Sequence, residues 1–233
     1  MLEKLKEEVF KANLDLVKEE LVVHTWGNAS GRDLKTGLIV IKPSGVSYSS
    51  MKPEEMVVLY PDGRVAEGKY KPSTDAPTHL FLYKKWKNIG GVVHTHSTYA
   101  TSWAQAGRAI PPFGTTHADH FYGEVPCTRE LTDNEIKNDY ELNTGKVITE
   151  AIGKSDPLAT PSVLVINHGP FCWGNDVADA VYNAVALEEI ARMAFYTVLL
   201  GNKKHVSKTL LDKHFTRKHG ADAYYGQSNK KKK

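Results

Sequence analysis

Two histidines close an apolar run at Gly91-Val92-Val93-His94-Thr95-His96, and a third closes a second run, Val163-Leu164-Val165-Ile166-Asn167-His168. Side chains on a strand alternate faces, so residues two apart share one and stand roughly 6–7 Å apart along it. Imidazoles at positions 94 and 96 can therefore lean toward one ion, and His168 at another strand end supplies a third nitrogen. Three protein ligands leave coordination positions open for water or substrate, the arrangement of catalytic rather than structural zinc. The plainer alternative at either run alone is an ordinary strand with polar outward residues; two strand ends together favour a metal.

Other segments offer chemistry of a different kind. Lys42-Pro43-Ser44-Gly45 follows a short apolar run and combines a hydroxyl, a glycine amide and an ammonium, which suits a phosphate, although taken alone a plain tight turn with an exposed lysine is the default reading there. Gly27-Asn28-Ala29-Ser30-Gly31 and Ser73-Thr74 read as further donor-rich loops. No Walker motif, dinucleotide fingerprint or serine elbow occurs. Asp75 stands where a helix begins, so capping is its default role. Asp119, in Thr115-Thr116-His117-Ala118-Asp119-His120, lies in an irregular stretch suited to an acid/base group. His117 and His120 are set aside as ligands because strands fix ligand geometry better than loops do.

The elements that must position these residues follow from pattern. Leu2, Leu5, Val9, Leu14 and Val17 repeat with a helical period, and Leu38 to Ile41 is a short buried strand. Pro61-Asp62-Gly63 separates Met56–Tyr60 from Arg64–Ala66, a hairpin signal. Helices are expected over 75–86, 99–106 and 139–152, and a long one after a cap at Asn175 or Asp176; 107–134 is expected to be irregular. Strands mixed with helices predict a three-layer α/β/α domain around a mixed sheet.

At 233 residues and 41% apolar content the chain can bury one full core, and no linker or repeat divides it. We read 1–227 as a single catalytic domain and 228–233 as a disordered lysine-rich tail. The four lysines Lys230 to Lys233 exceed the formal charge of +3, so the body lacks a nucleic-acid footprint. The charged N-terminus is no signal peptide and no run is long enough to span a membrane. Two cysteines form no disulfide framework, which points to a reducing cytoplasm.

Gly27-Asn28-Ala29-Ser30, Lys42-Pro43-Ser44-Gly45, Pro72-Ser73-Thr74-Asp75-Ala76-Pro77-Thr78-His79, Val93-His94-Thr95-His96-Ser97, Thr116-His117-Ala118-Asp119, Asn167-His168-Gly169-Pro170 and Tyr224-Tyr225-Gly226-Gln227 occur in this order. Together they resemble the L-ribulose-5-phosphate 4-epimerase branch of the class II aldolase family, over about residues 5–227. His-Thr-His marks the broad family; the Thr-His-Ala-Asp segment and the Tyr-Tyr-Gly-Gln ending are narrower. Thr74 where a second serine is usual, and the lysine tail, depart from the pattern.

The resemblance implies a largely antiparallel central sheet and a homotetramer with sites at subunit interfaces. It implies Zn2+ on His94, His96 and His168 with Asp75 at or near it, Mn2+ or Co2+ being alternatives. Phosphate would be held by Gly27, Asn28, Ser44, Gly45, Ser73 and Thr74 with help from Lys42. Asp119 and Tyr225 would be the acid/base pair, and Thr115, His214 and Arg217 would support them. The implied reaction is C4 epimerisation of L-ribulose 5-phosphate by retro-aldol cleavage and aldol re-formation, a step of L-arabinose catabolism. Fuculose- and rhamnulose-phosphate aldolases resemble the chain at the metal site but typically carry Glu where Asp75 stands. The metal-free head of adducin is a third relative, one expected to have lost the ligand histidines.

Overall fold

The computed structural model describes residues 2–202, 204–219 and 223–224. Seven strands form one sheet: β1 Gly27–Arg32, β2 Ile39–Ile41, β3 Val57–Leu59, β4 Val65–Glu67, β5 Gly91–Thr95, β6 Ser162–Val165 and β7 Gly169–Gly174, in the spatial order β4-β3-β2-β1-β5-β7-β6. Every pairing between these strands is antiparallel, and the parallel component of the expected mixed sheet is confined to one isolated bridge, Cys127 to Leu164.

Alternation along the strands sorts the core into two layers. Ala29, Val93 and Cys172 face the helices α1 Glu3–Lys18, α3 Thr98–Gln105 and α7 Val177–Leu199, where Leu16, Leu187 and Ile190 are buried. Their neighbours Val92, Phe171 and Trp173 face α2 Ala76–Lys85 and α6 Tyr140–Ile152, packing on Leu82, Tyr83 and Ile148. Two short helices, α4 Thr115–His120 and α5 Asp133–Lys137, fall between α3 and α6 in the chain. Burying each apolar core side chain contributes roughly 1.5–3 kcal/mol, so both faces of the sheet are held by apolar transfer. The three-layer expectation is met.

The long helix α7 starts at Asp176, whose side chain accepts from the Asp179 amide, as the cap signal implied. Three elements differ from expectation. Gly27–Arg32 is a central strand rather than a loop, Thr115–His120 is a short helix inside the segment expected to be irregular, and His168 is followed by a further strand, β7. A last helix, α8 Lys208–His219, packs on α4. No helix among the described residues is long and apolar enough to cross a membrane. The tail 228–233 lies outside the described residues.

Candidate active site

The register places Asn28 opposite His94, and His94 opposite Phe171, so three neighbouring strands present one row of side chains on the α2/α6 face. Within this row the His94 ring stacks on Phe171, 4.1 Å between centroids and 14° between planes. The strand β5 ends at Thr95, and His96 continues past it to the rim. His168 arrives from the turn between β6 and β7, where its amide donates to the Val165 carbonyl at 3.0 Å and Asn167 adopts φ 60°. Asparagine tolerates that left-handed conformation far better than a β-branched residue would. Gly169 permits the close return: a Cβ there would sit 2.8 Å from the Thr95 carbonyl oxygen and 3.7 Å from His94 Cε1.

One ligand nitrogen from each of His94, His96 and His168 lies within 4.8 Å of the others. His94 Nε2 and His96 Nε2 are 3.1 Å apart, close to the ~3.3 Å edge of a tetrahedron with zinc–nitrogen bonds of about 2.0–2.1 Å. His94 Nδ1 is 2.9 Å from the Pro170 carbonyl, which can only accept, so Nδ1 carries the proton and Nε2 presents its lone pair. Burial and the two neighbouring rings push the His168 pKa down to about 3, and burial with His94 lowers that of His96; Asp75 opposes both shifts. Neutral rings are the form that ligates, so this donor set fits a divalent cation.

Asp75 does not cap its helix. It occupies the position before Ala76 without a side-chain capping bond, and its Oδ2 instead accepts from Asn28 Nδ2 at 2.7 Å. Burial works against its negative charge, but His94, His79 and the Asn28 bond prevail and its pKa is lowered, so Asp75 is a carboxylate beside the imidazoles. Behind it His79 is fully enclosed, its Nδ1 2.7 Å from Ser30 Oγ, which also contacts Tyr83 Oη at 2.9 Å.

A cavity of about 620 Å³ joins this cluster to the donor-rich loops, lined by Gly27, Asn28, Lys42, Ser44, Gly45, Ser73 and Thr74 as well as Asp75 and the three histidines. The loops are fastened to each other. The Ser44 amide donates to the Lys71 carbonyl at 2.9 Å and the Ser73 amide to the Lys42 carbonyl at 3.0 Å, on either side of a Pro43–Pro72 bridge. Gly45 follows at φ 68°, and no hydrogen bond among the described residues engages its amide. Lys42 is more deeply set than an exposed turn lysine. Its Nζ donates to the Pro43 and Val46 carbonyls at 3.2 and 2.7 Å and lies 4.9 Å above the Tyr48 ring, and burial lowers its pKa to about 8.

Asp119, Thr115, His214 and Arg217 are not in this cavity; the structure gathers Asp119, His214 and Arg217 elsewhere, where α8 meets α4. Arg217 Nε and Nη2 donate to the two Asp119 oxygens at 2.9 and 2.6 Å, and His214 Nδ1 lies 3.0 Å away. Burial raises the Asp119 pKa, but the Arg217 and His214 bonds outweigh it and hold the group ionised. Tyr225 lies outside the described residues. His117 is committed to a backbone bond with Gly123 at 2.6 Å, in keeping with its exclusion as a ligand. Four residues of the cavity wall escaped the sequence reading: Thr25 and Trp26 just before β1, and Tyr140 and Glu141 at the start of α6. The runs that hold them, Thr25-Trp26 before Gly27 and Asp139-Tyr140-Glu141, match no general motif.

Comparison with known proteins agrees with the geometry. Residues 7–195 match the class II aldolase and adducin N-terminal domain. An L-fuculose 1-phosphate aldolase superimposes with a TM-score of 0.78 at 24% identity, covering 91% of this chain and 94% of that one. The L-fuculose 1-phosphate aldolase of Glaciozyma antarctica PI12 gives 0.77 at 18% identity over 92% and 81%. That of Thermus thermophilus gives 0.67 at 22% over 85% and 98%. With the match covering most of its length, the chain belongs to the class II aldolase and adducin N-terminal domain family.

Proposed function

We propose that the protein is a metal-dependent epimerase that interconverts L-ribulose 5-phosphate and D-xylulose 5-phosphate at C4, in L-arabinose catabolism. The observation that carries this reading is Asp75, a short carboxylate fixed by Asn28 against the three-histidine cluster, where the aldolase branch typically has Glu. His94, His96 and His168 would hold the ion, zinc in our reading, with Mn2+ or Co2+ as substitutes. When bound, it supplies Lewis acidity to the negative charge that develops on the C2 and C3 oxygens as the C3–C4 bond breaks.

The protein groups do the rest. Cleavage leaves glycolaldehyde phosphate, which must turn its other face to the three-carbon fragment without leaving. Ser44, Gly45, Ser73 and Thr74, with Asn28, Gly27 and Lys42, line the same cavity and would anchor the phosphate about which the aldehyde can rotate. One group accepts the C4 hydroxyl proton and another returns a proton on the opposite face. We assign these to Asp119, which is ionised, and Tyr225, both contributed by a neighbouring subunit of a homotetramer, with Thr115, His214 and Arg217 supporting them. That Asp119 lies outside the cavity of its own chain supports a borrowed arrangement.

The fold likeness to L-fuculose 1-phosphate aldolases favours a second reading, cleavage of a sugar phosphate with release of both fragments. One experiment separates them. Purified protein is incubated with L-ribulose 5-phosphate or L-fuculose 1-phosphate, and products are followed by chromatography. We expect D-xylulose 5-phosphate from the first and no dihydroxyacetone phosphate from the second. The reverse pattern establishes the aldolase.

A further inference from the structure

A neutral imidazole carries one N–H, so a ring that gives one lone pair to an ion must spend the proton at its other nitrogen. His94 spends its proton on the Pro170 carbonyl. The corresponding contact of His168 is to a side chain: its Nδ1 lies 3.3 Å from Tyr140 Oη. The two rings are 6.2 Å apart with planes 30° apart, so the contact is made at the hydroxyl and not by stacking. Tyr140 opens α6 directly after Asp139, whose φ of 56° turns the chain into the helix, and both Tyr140 and His168 line the cavity.

We propose that Tyr140 is a positioning residue for His168: its phenol oxygen accepts the Nδ1 proton and so aims the Nε2 lone pair at the ion. The proposal rests on the metal reading of the histidine cluster, but not on the identity of the sugar. It also gives a role to a residue that neither the metal pattern nor the phosphate pattern includes. The β6–β7 turn fixes the His168 backbone, while its imidazole can still rotate about two torsions. Loss of the hydroxyl leaves that ring without a side-chain partner at Nδ1.

Tyr140→Phe keeps the ring and removes only the acceptor. Metal-free wild-type and Tyr140→Phe proteins are titrated with Zn2+ against a chromophoric chelator, and with Co2+ while its visible absorption is recorded. Outer partners of metal-bound histidines are worth about 10–100-fold in affinity, so the variant should bind Zn2+ that much more weakly. Its Co2+ spectrum should shift, while the melting temperature of the metal-free protein stays at the wild-type value. In a His168→Asn background, Tyr140→Phe should have no further effect on affinity, an outcome that a general packing role would not give. Equal affinities and identical Co2+ spectra overturn the proposal, as does an undiminished effect of Tyr140→Phe in the His168→Asn background. A wild-type protein that binds neither ion overturns the metal reading with it.

Discussion

Replacing Asp119 with Asn tests both a packing argument and a chemical one. The carboxylate accepts two bonds from Arg217 and one from His214, with its side chain 12% exposed and that of Arg217 24% exposed. Asn keeps one acceptor oxygen but turns an NH₂ toward the guanidinium, so at least one charge-assisted bond becomes a donor–donor clash. Such bonds are worth about 1.5–3 kcal/mol, and breaking a buried pair costs about 3–5. Partial exposure lowers the second figure, leaving about 2–3 kcal/mol for the docking of α8 on α4. At 1.4 kcal/mol per factor of ten, the opening equilibrium of α8 should rise roughly 30- to 150-fold. Amide hydrogen exchange of residues 208–219 reads this directly. Unchanged protection there would refute the packing argument. Turnover should fall by roughly 10²–10⁴-fold, the span for loss of a general acid or base. Leu211→Ala is the control, since it removes the buried apolar side chain of α8 and loosens the helix while retaining the carboxylate and its partners; if it loses as much turnover as Asp119→Asn, the acid/base assignment of Asp119 fails.

His96→Asn should lower metal content and turnover together, and full occupancy by elemental analysis with normal activity would remove His96 from the ligand set. Lys42 is charged below about pH 8 and neutral above it, so KM for a phosphorylated substrate should climb as pH passes that value. Lys42→Met should show a high KM at every pH; a wild-type KM flat from pH 7 to 9.5 contradicts the assignment. The same shift has a stability sign: the unfolded chain holds this proton up to the ordinary lysine pKa, so folding gains stability as pH rises above about 8. Gly169→Ala should cost about 1–3 kcal/mol through overpacking against the Thr95 carbonyl, seen as a lower melting temperature with reduced metal content; an unaltered melting curve would show that the turn can shift freely.

Much of the histidine cluster was legible because its carriers, β5 and β6, are written around Val92, Val93, Val163, Leu164 and Val165, whose apolarity, with the β-branching of the valines, announces buried strands. The hairpin around Pro61-Asp62-Gly63 and the cap at Asp176 were legible for the same local reasons. By contrast, β1 has the sequence Gly-Asn-Ala-Ser-Gly-Arg, every residue of which is common in turns or carries a polar group, Ala29 apart. It is a strand because β2 and β5 pair with it on both sides and because His79, Tyr83 and Asp75 satisfy its polar side chains, facts that exist only in the folded chain. β7 opens with Gly-Pro and hid in the same way. Tyr140 was illegible because its partner lies 28 positions later in the chain. Lys42 was legible as a neighbour of Ser44 and Gly45, but its bonds to the Pro43 and Val46 carbonyls, which shape the loop, depend on a burial that the sequence does not display.

The backbone acceptor of His94 bears on how such a site can change over generations. A carbonyl belongs to every residue, so no codon change at position 170 deletes the group that orients His94, provided the strand holds. His168 leans on a side chain, and a single nucleotide exchange turns a tyrosine codon into one for phenylalanine. The orientation of one imidazole is thus shielded from mutation while that of another is open to it. Selection for a different metal or a slower exchange rate would find its handle at Tyr140, far more readily than at Pro170.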